Sequence, residues 1–575
     1  MPWESPEPAN VSRTGQNLRE RYKDIRNTSR DVDDLNVRVE NVWISIAYQL
    51  MTVQSSVEEV PHVLKDHIGV LLDKLVLCLH TACKNIDKVT DKNGTMEKLK
   101  FALFIKGLLE KDVSALEKWR DLFGSTFYML SLPKNPALDR ILSTETQKSA
   151  EPTGDAVANV GAIRDVLADE PTKRFLSVWL DPVRMYLSNP IGYSGAHIVF
   201  DDKTHTKYIM ETITIDPSQR NCNQLDKDVT KLARVLRESK ALPGILTCKG
   251  VVRKLGMNGL LEEFQFILEM PHRLGDTPTC LRSVLQRTTH EPHPLGERVL
   301  LARQVANAVI FVHNLNFVHK NMRPETILVF PSPGKALGTP FLVGFQMFQS
   351  ADGMTDRTGD DSWSKNLYRH PSCQGTHPDN IYRMQHDIYS LGVILLEIGL
   401  WSPFVDQTGQ PGVALSQIVT ILQDRDQRKG ASRIKKWLIT MASCNLPPRM
   451  GDKYAEVVVA CLTCLDKDSE LGTESEFLED DGILVGVRYI QRVSAAQVSA
   501  PHLCPRLTPF VDLERARGNR SLRQGTDLRT HHVHPCGWTG FRYSNENGHC
   551  VLMLFLPLDF DFHFFQAQSE IWWMC

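Results

Sequence analysis

The stretch that most constrains this chain is residues 311–329, FVHNLNFVHKNMRPETILV. Upstream of it Val305, Val309 and Val312 recur at spacings of four and three, which is one apolar face of a helix. That pattern runs out at residues 314–316. His319, Lys320 and Asn321 then open a short polar turn that continues through Arg323, Pro324 and Glu325. Residues 327–330 resume as a small apolar strand. A helix therefore delivers a histidine-containing loop, and a strand carries the chain away from it.

The surrounding hydrophobic period is mixed. Residues 196–200, 207–215, 244–252 and 263–270 read as strands, the first two separated by the polar turn DDKTH. Residues 225–238 and 296–314 read as helices, and 281–286 begins another helical region. Residues 341–348 form a short apolar strand and turn. The sequence DIYSLGVILLEIGL at 387–400 reads as a helix buried on most sides. Two more helices are expected near 434–443 and 454–465, with the turn composition LPPRMG between them.

The first part of the chain is different. Leu18, Tyr22, Ile25, Val32, Leu35, Val39, Val42, Ile46 and Leu50 form an apolar stripe through residues 14–53. Leu64, Ile68, Leu71, Leu75, Leu79, Ala82, Ile86 and Val89 continue it after Pro61. Following the turn DKNG at 91–94, Leu99, Leu103, Leu109, Val113, Leu116 and Trp119 make a third stripe in residues 97–123. Residues 14–135 are expected to form an antiparallel helical bundle. Residues 1–13 are expected to be disordered, 136–185 to be a linker with a helical brace near 157–167, and 496–575 to be an irregular tail. In that tail His531, His532, His534, Cys536, His549 and Cys550 raise the question of zinc, but their spacing fits no paired ligand pattern.

Composition narrows the function classes. The chain is 42% apolar and 23% charged with a net charge of −2, so nothing global points to nucleic acid. The N-terminus MPWESPEPANVSR is not a secretory signal. No run reaches the roughly 18 apolar residues needed for a membrane span. The 13 cysteines are scattered and are read as thiols in an intracellular, cytoplasmic protein.

The order of these elements resembles the protein-kinase superfamily across residues 186–495, with a small lobe over about 186–270 and a large lobe over about 271–495. HKNMRPET is similar to the catalytic-loop pattern H-R-D-L-x-x-x-N. His319 stands at the histidine of that loop, and Asp387 at the buried aspartate that anchors it. Tyr368, Arg369 and Pro371 resemble the end of an activation segment. Glu269 and Met270, ahead of Pro271, resemble the hinge. The expected fold class is thus α+β, an N-terminal antiparallel helical bundle followed by a bilobal kinase-like fold.

Phosphoryl transfer needs an aspartate base, metal-binding aspartate and asparagine, and a strand lysine paired with a helix glutamate. Here the base position is Asn321, a neutral amide that cannot act as a carboxylate base. The loop lysine position is Arg323, the metal asparagine position is Thr326, and Gly344 begins the segment GFQ where D-F-G is expected. In KYIMETITI no lysine falls at the usual strand position, Lys207 coming too early. Gly192 and Gly195 are all that remains of a glycine-rich phosphate loop. Asp226 and Asp228 read as surface residues. The resemblance therefore implies a pseudokinase, with no cofactor expected and His319, Asp387, Tyr368, Arg369 and Pro371 kept as scaffold.

The N-terminal part, with KDIRNTSRDVDDLNVRVENVWISIAYQL and LEKW at 116–119, resembles the HeLo or prion-inhibition type of helical domain of filamentous fungi. That domain is often fused to a kinase-like domain ending in a pattern like MGDKYAEVVVACLTCLD, present here at 450–466. Against that resemblance, the start MPWESPEPAN leads to the expectation that the family's usual glycine-containing apolar first helix is absent. The resemblance implies protein partners, self-association through the bundle, and signalling in cell death or allorecognition, with peripheral membrane contact in question. The alternatives are an active atypical kinase that binds ATP, and a plain interaction scaffold.

Overall fold

The computed structural model describes residues 8–23, 30–56, 62–87, 106–131, 155–168, 176–181, 185–215, 222–239, 242–257, 259–287, 293–315, 317–345, 349–350, 362–375, 382–418, 427–466, 539–544 and 550–555. It is an α+β structure in which an N-terminal helical region precedes a sheet-containing region. The chain divides into two compact units, residues 1–503 and 504–575.

Four helices, α1 (Pro8–Lys23), α2 (Arg30–Ser56), α3 (His62–Asp87) and α4 (Lys106–Ser131), make the N-terminal region. α1 packs on α2 and α3, and α4 packs on the same pair from the other side. The stripe residues Leu18, Tyr22, Leu35, Val39, Ile46, Leu71, Leu75, Leu79, Val113 and Leu116 all face this interior. Burying each such side chain contributes roughly 1.5–3 kcal/mol. Arg38 clasps Glu117 through two bonds of 3.0 and 2.8 Å, and Trp119 Nε1 donates to the Leu71 carbonyl at 2.7 Å.

Two expectations are corrected here. Residues 8–13 are helical, not disordered, because Val11 starts the apolar stripe that Leu18 and Tyr22 continue and is itself buried. The stripe over 14–53 belongs to two helices, not one. The bundle gains its fourth helix that way. Ile25, Val89, Leu99 and Leu103 lie outside the described residues, as do 1–7, the turn at 91–94 and 136–154.

Helix α5 (Asp155–Ala168) is the expected brace. It is wedged between α2 and α4 on one side and α6 (Cys222–Glu238) on the other, burying Val160, Ile163 and Val166. α6 in turn lies on a six-stranded sheet of order β1-β5-β6-β4-β3-β2. The strands are β1 (Trp179–Leu180), β2 (Met185–Pro190), β3 (His197–Asp201), β4 (Thr206–Thr214), β5 (Cys248–Leu255) and β6 (Leu261–Glu269). β1 falls inside the expected linker. It pairs in parallel with β5, placing Trp179 beside Phe264 and under the Arg253 guanidinium.

After β7 (Thr279–Cys280) and α7 (Leu281–Arg287), the long helix α8 (Leu295–Asn314) leads into β8 (Phe317–Val318) and the loop beyond it. β9 (Ile327–Ser332) and β10 (Lys335–Leu342) pair antiparallel, with β7 on the other side of β9. α8 packs on β10 and on α9 (Met384–Leu400), and Tyr128 of α4 meets its Phe311 edge to face at 6.1 Å. α9 is buried from Gln385 to Leu400. α10 (Gln427–Asn445) and α11 (Asp452–Leu462) close around it. Gly392 permits this approach, since a Cβ there would lie 2.8 Å from Cys461 Cβ. The LPPRMG turn contains one helical turn, Pro447–Met450.

In the second unit the described residues form an antiparallel pair, β11 (Thr539–Ser544) with β12 (Cys550–Phe555). This corrects the irregular tail for those residues: TGFRYS and CVLMLF are strand-forming runs flanking the turn-rich NENG. His531, His532, His534, Cys536 and His549 lie outside the described residues. Among the described residues no helix is long and apolar enough to cross a membrane.

Candidate functional site

The loop after β8 hangs from one carboxylate. Asp387, in the first turn of α9, is fully buried. Its Oδ2 accepts the His319 backbone N–H at 2.7 Å, and its Oδ1 accepts that of Lys320 at 3.0 Å. His313 Nε2 donates to Oδ2 at 3.2 Å and the Tyr382 hydroxyl to Oδ1 at 2.9 Å. Burial alone would raise this carboxyl, but the donors from His313 and His319 hold it below the usual carboxylate range. Lys320 adopts a left-handed backbone, φ 62°, which lets two successive N–H groups reach the same side chain.

His319 is fully buried, and burial drives its imidazole down to about 4 despite the neighbouring Asp387. It is therefore neutral, and its bonds fix the tautomer. Nδ1 accepts the Asn321 backbone N–H at 3.3 Å, and Nε2–H donates to the Val343 carbonyl at 3.0 Å. The ring also packs on Phe345, with centroids 4.9 Å apart.

Asn321, Thr326 and Gly344 meet one another. Asn321 Nδ2 donates to the Gly344 carbonyl at 3.3 Å. The Thr326 hydroxyl accepts the Arg323 N–H at 3.2 Å and turns its proton toward the carbonyls of Asn321 and Arg323, at 3.0 and 2.9 Å. Gly344 has φ +89°, and a Cβ there would fall 2.7 Å from Thr326 Cβ and closer still to its Cγ2. Its N–H donates to Glu211 Oε1. Arg323 is half-buried, with its Nε lacking a hydrogen-bond partner.

Glu211 was not singled out in the sequence, yet it reaches this spot from β4. Burial pushes its carboxyl up to about 7, opposed by the backbone N–H groups of Gly344 and Phe345. A signal for it was present. Along β4 Ile209 and Ile213 face the main core while Tyr208 and Met210 face a second cluster. Glu211 is thus a charge placed by the period of two on a core face.

The remaining candidates sit apart. Gly192 and Gly195 lie in the exposed β2–β3 turn, where the left-handed residue is Tyr193 at φ 63° and a Cβ on Gly192 would meet open space. The Gly192 carbonyl accepts the Cys280 thiol at 3.1 Å, and Tyr193 lies over the Arg282 guanidinium. Arg282 also binds Glu325 at 2.7 Å and the Asp406 carbonyl. Glu269 ends β6 and its N–H binds the Thr247 carbonyl, while Met270 packs against the core. Lys207 pairs at the surface with Asp276, and Asp226 with Arg253.

The Tyr368 hydroxyl donates to Glu397 Oε2 at 2.9 Å, and Glu397 Oε1 accepts the Phe404 N–H at 2.6 Å. Pro371 opens a single 3-10 turn, and the Arg369 carbonyl accepts from Gln374 at 2.7 Å. Beside them His370 contacts Ser372 Oγ at 2.8 Å and Lys435 at 3.2 Å, and Lys435 pairs with Asp466 at 2.5 Å.

Chemically, the assembled loop offers amides, hydroxyls and backbone groups already bonded to each other. Among the described residues no group of three or more His, Cys, Asp or Glu is placed to hold a metal ion. No protein-family model matches the chain, and no curated protein matches it.

Proposed function

We propose that this chain is a non-catalytic signalling protein in which a kinase-like region, residues 186–495, serves as a docking or sensing module for the N-terminal bundle. The observation that carries this reading is the mutual engagement of Asn321, Thr326, Gly344 and Glu211. Transfer of a phosphoryl group needs a base, two metal-holding side chains and a cation for the phosphates. At the matching positions the chain has an amide that donates to Gly344, a hydroxyl that caps its own loop, and a glycine whose Cβ space Thr326 takes. On the strand where the resemblance expects a lysine, the chain instead has the Glu211 carboxyl, which accepts the Gly344 N–H. These residues do not fit a magnesium nucleotide.

His319 and Asp387 support the same reading from the other side. Their bonds fix backbone position and are independent of any reacting group. In this proposal the bundle provides self-association or partner binding, and the resemblance to fungal HeLo proteins makes cell-death or allorecognition signalling its setting, an argument from family likeness alone. An autophosphorylation and protein-phosphorylation assay on the full chain tests the non-catalytic part. Transfer no greater than that of an Asn321→Ala variant is expected, and transfer that this variant abolishes would overturn it in favour of an atypical kinase. Crosslinking of the full chain tests self-association.

A further inference from the structure

We propose that the backbone N–H groups of Gly344 and Phe345 form a carboxylate-binding nest, and that Glu211 is its resident ligand, supplied by the chain itself. The inference stands apart from the pseudokinase reading, since it concerns what occupies the amides and not what the region descends from.

Three observations carry it. First, Glu211 is buried, 3% exposed, and projects from the middle of β4 onto the core face, an expensive place for a carboxyl unless it has donors. Second, the Gly344 N–H donates to its Oε1, and the next amide along the chain, that of Phe345, also works to hold its carboxyl down. The positive φ of Gly344 turns them toward one point, the geometry by which successive amides make an anion-binding concavity. Third, that concavity is braced from behind. Asn321 holds the Gly344 carbonyl, Thr326 fills the space beside its Cα, and the Thr326 carbonyl binds the Val343 N–H at 2.9 Å. The amides are thus fixed by groups independent of Glu211, and would remain a site for a small carboxylate in its absence.

The bond also has a structural consequence. Glu211 belongs to the six-stranded sheet, whereas Gly344 follows β10 of the three-stranded sheet. Filling the nest in cis ties the two sheets together across the region. The bond from the Cys280 thiol of β7 to the Gly192 carbonyl, in the β2–β3 turn, spans the same divide. Closure then needs no outside ligand.

Chemical rescue tests this. Glu211→Ala removes the Cγ–carboxylate unit, which acetate matches in size and charge. In the full chain the variant is expected to melt several degrees below the parent. Acetate should raise its melting temperature in a concentration-dependent way, as a ligand binding only the native state does. Potassium chloride at equal ionic strength should not, and the parent should gain nothing specific from acetate. A variant as stable as the parent, or acetate and chloride acting alike on it, would overturn the proposal. If Glu211→Ala yields no folded protein, Glu211→Leu, which fills the space but carries no acceptor, and the parent decide by hydrogen exchange. Slow exchange of the Gly344 and Phe345 amides in the parent, hastened in Glu211→Leu, supports the nest, and equal rates in both refute it.

Discussion

Gly344 and Thr326 are fitted to each other, with Thr326 Cβ standing 2.7 Å from where a Gly344 Cβ would be. Gly344→Ala therefore meets two penalties. The left-handed backbone costs on the order of 1–3 kcal/mol for a non-glycine residue, and overpacking adds about 1–3 kcal/mol. Urea denaturation should show both. Thr326→Ser, which removes the nearer Cγ2, should recover part of the second in the double variant but none of the first. Strict additivity of the two substitutions would show that the fit does not matter.

Asp387 gathers donors from His313, His319, Lys320 and Tyr382 in a fully buried position. Asp387→Ala leaves all four without an acceptor. Removing one side of such a buried charged network costs roughly 3–5 kcal/mol. The expected result is a large fall in melting temperature, and a change within error would mean that water replaces the carboxylate.

Tyr128 and Phe311 join the bundle to the helix that leads into the loop. Either residue changed to Ala should cost roughly 3–5 kcal/mol as a buried aromatic. A double-mutant cycle should return a coupling of about 0.5–1.5 kcal/mol, the increment expected of an edge-to-face pair. Zero coupling would indicate that the two rings are stabilised by separate surroundings.

Stability should peak near pH 6.5. Burial lowers His319, His370 and His386 from 6.5 to about 4, 3 and 4. The unfolded chain takes up these protons first, so their contribution is whole above pH 6.5 and is lost as the pH falls below it. Burial raises Glu211 and Glu397 from 4.5 to about 7 and 8. Here the folded chain keeps its protons longer, so their contribution is whole below pH 4.5 and is lost as the pH rises toward 7 and 8. Between 4.5 and 6.5 three histidines outweigh two carboxyls, and above 6.5 only the carboxyl loss remains. Melts across this range should show the maximum, and a stability still rising above pH 8 would contradict it.

Much of this was legible in the sequence. The stripes containing Leu18, Leu75 and Val113 marked the bundle because a buried helix face must repeat at three and four. The loop at His319 was readable because a polar turn between two apolar segments is an anomaly of pattern, and Asp387 only through the resemblance to the kinase superfamily, which expects a buried anchoring aspartate there. Glu211 is less legible, because in KYIMETITI it is one polar residue among several and only its place on the core face of β4 sets it apart. The role of Gly344 was hidden for a different reason: its partner Thr326 is distant in the sequence, and only folding shows that the two share one space. The helix beginning at Pro8 and the strand at Trp179 escaped because each is short or flanked by polar residues, and tertiary packing decides their state.

In the proposed function the loop at His319 serves as architecture and holds no magnesium nucleotide. A thermal melt of the full chain with saturating ATP, with and without magnesium, tests it most directly. The same melting temperature is expected in both and in buffer of matched ionic strength. A rise of several degrees with ATP would contradict it, because only a ligand bound to the native state produces one.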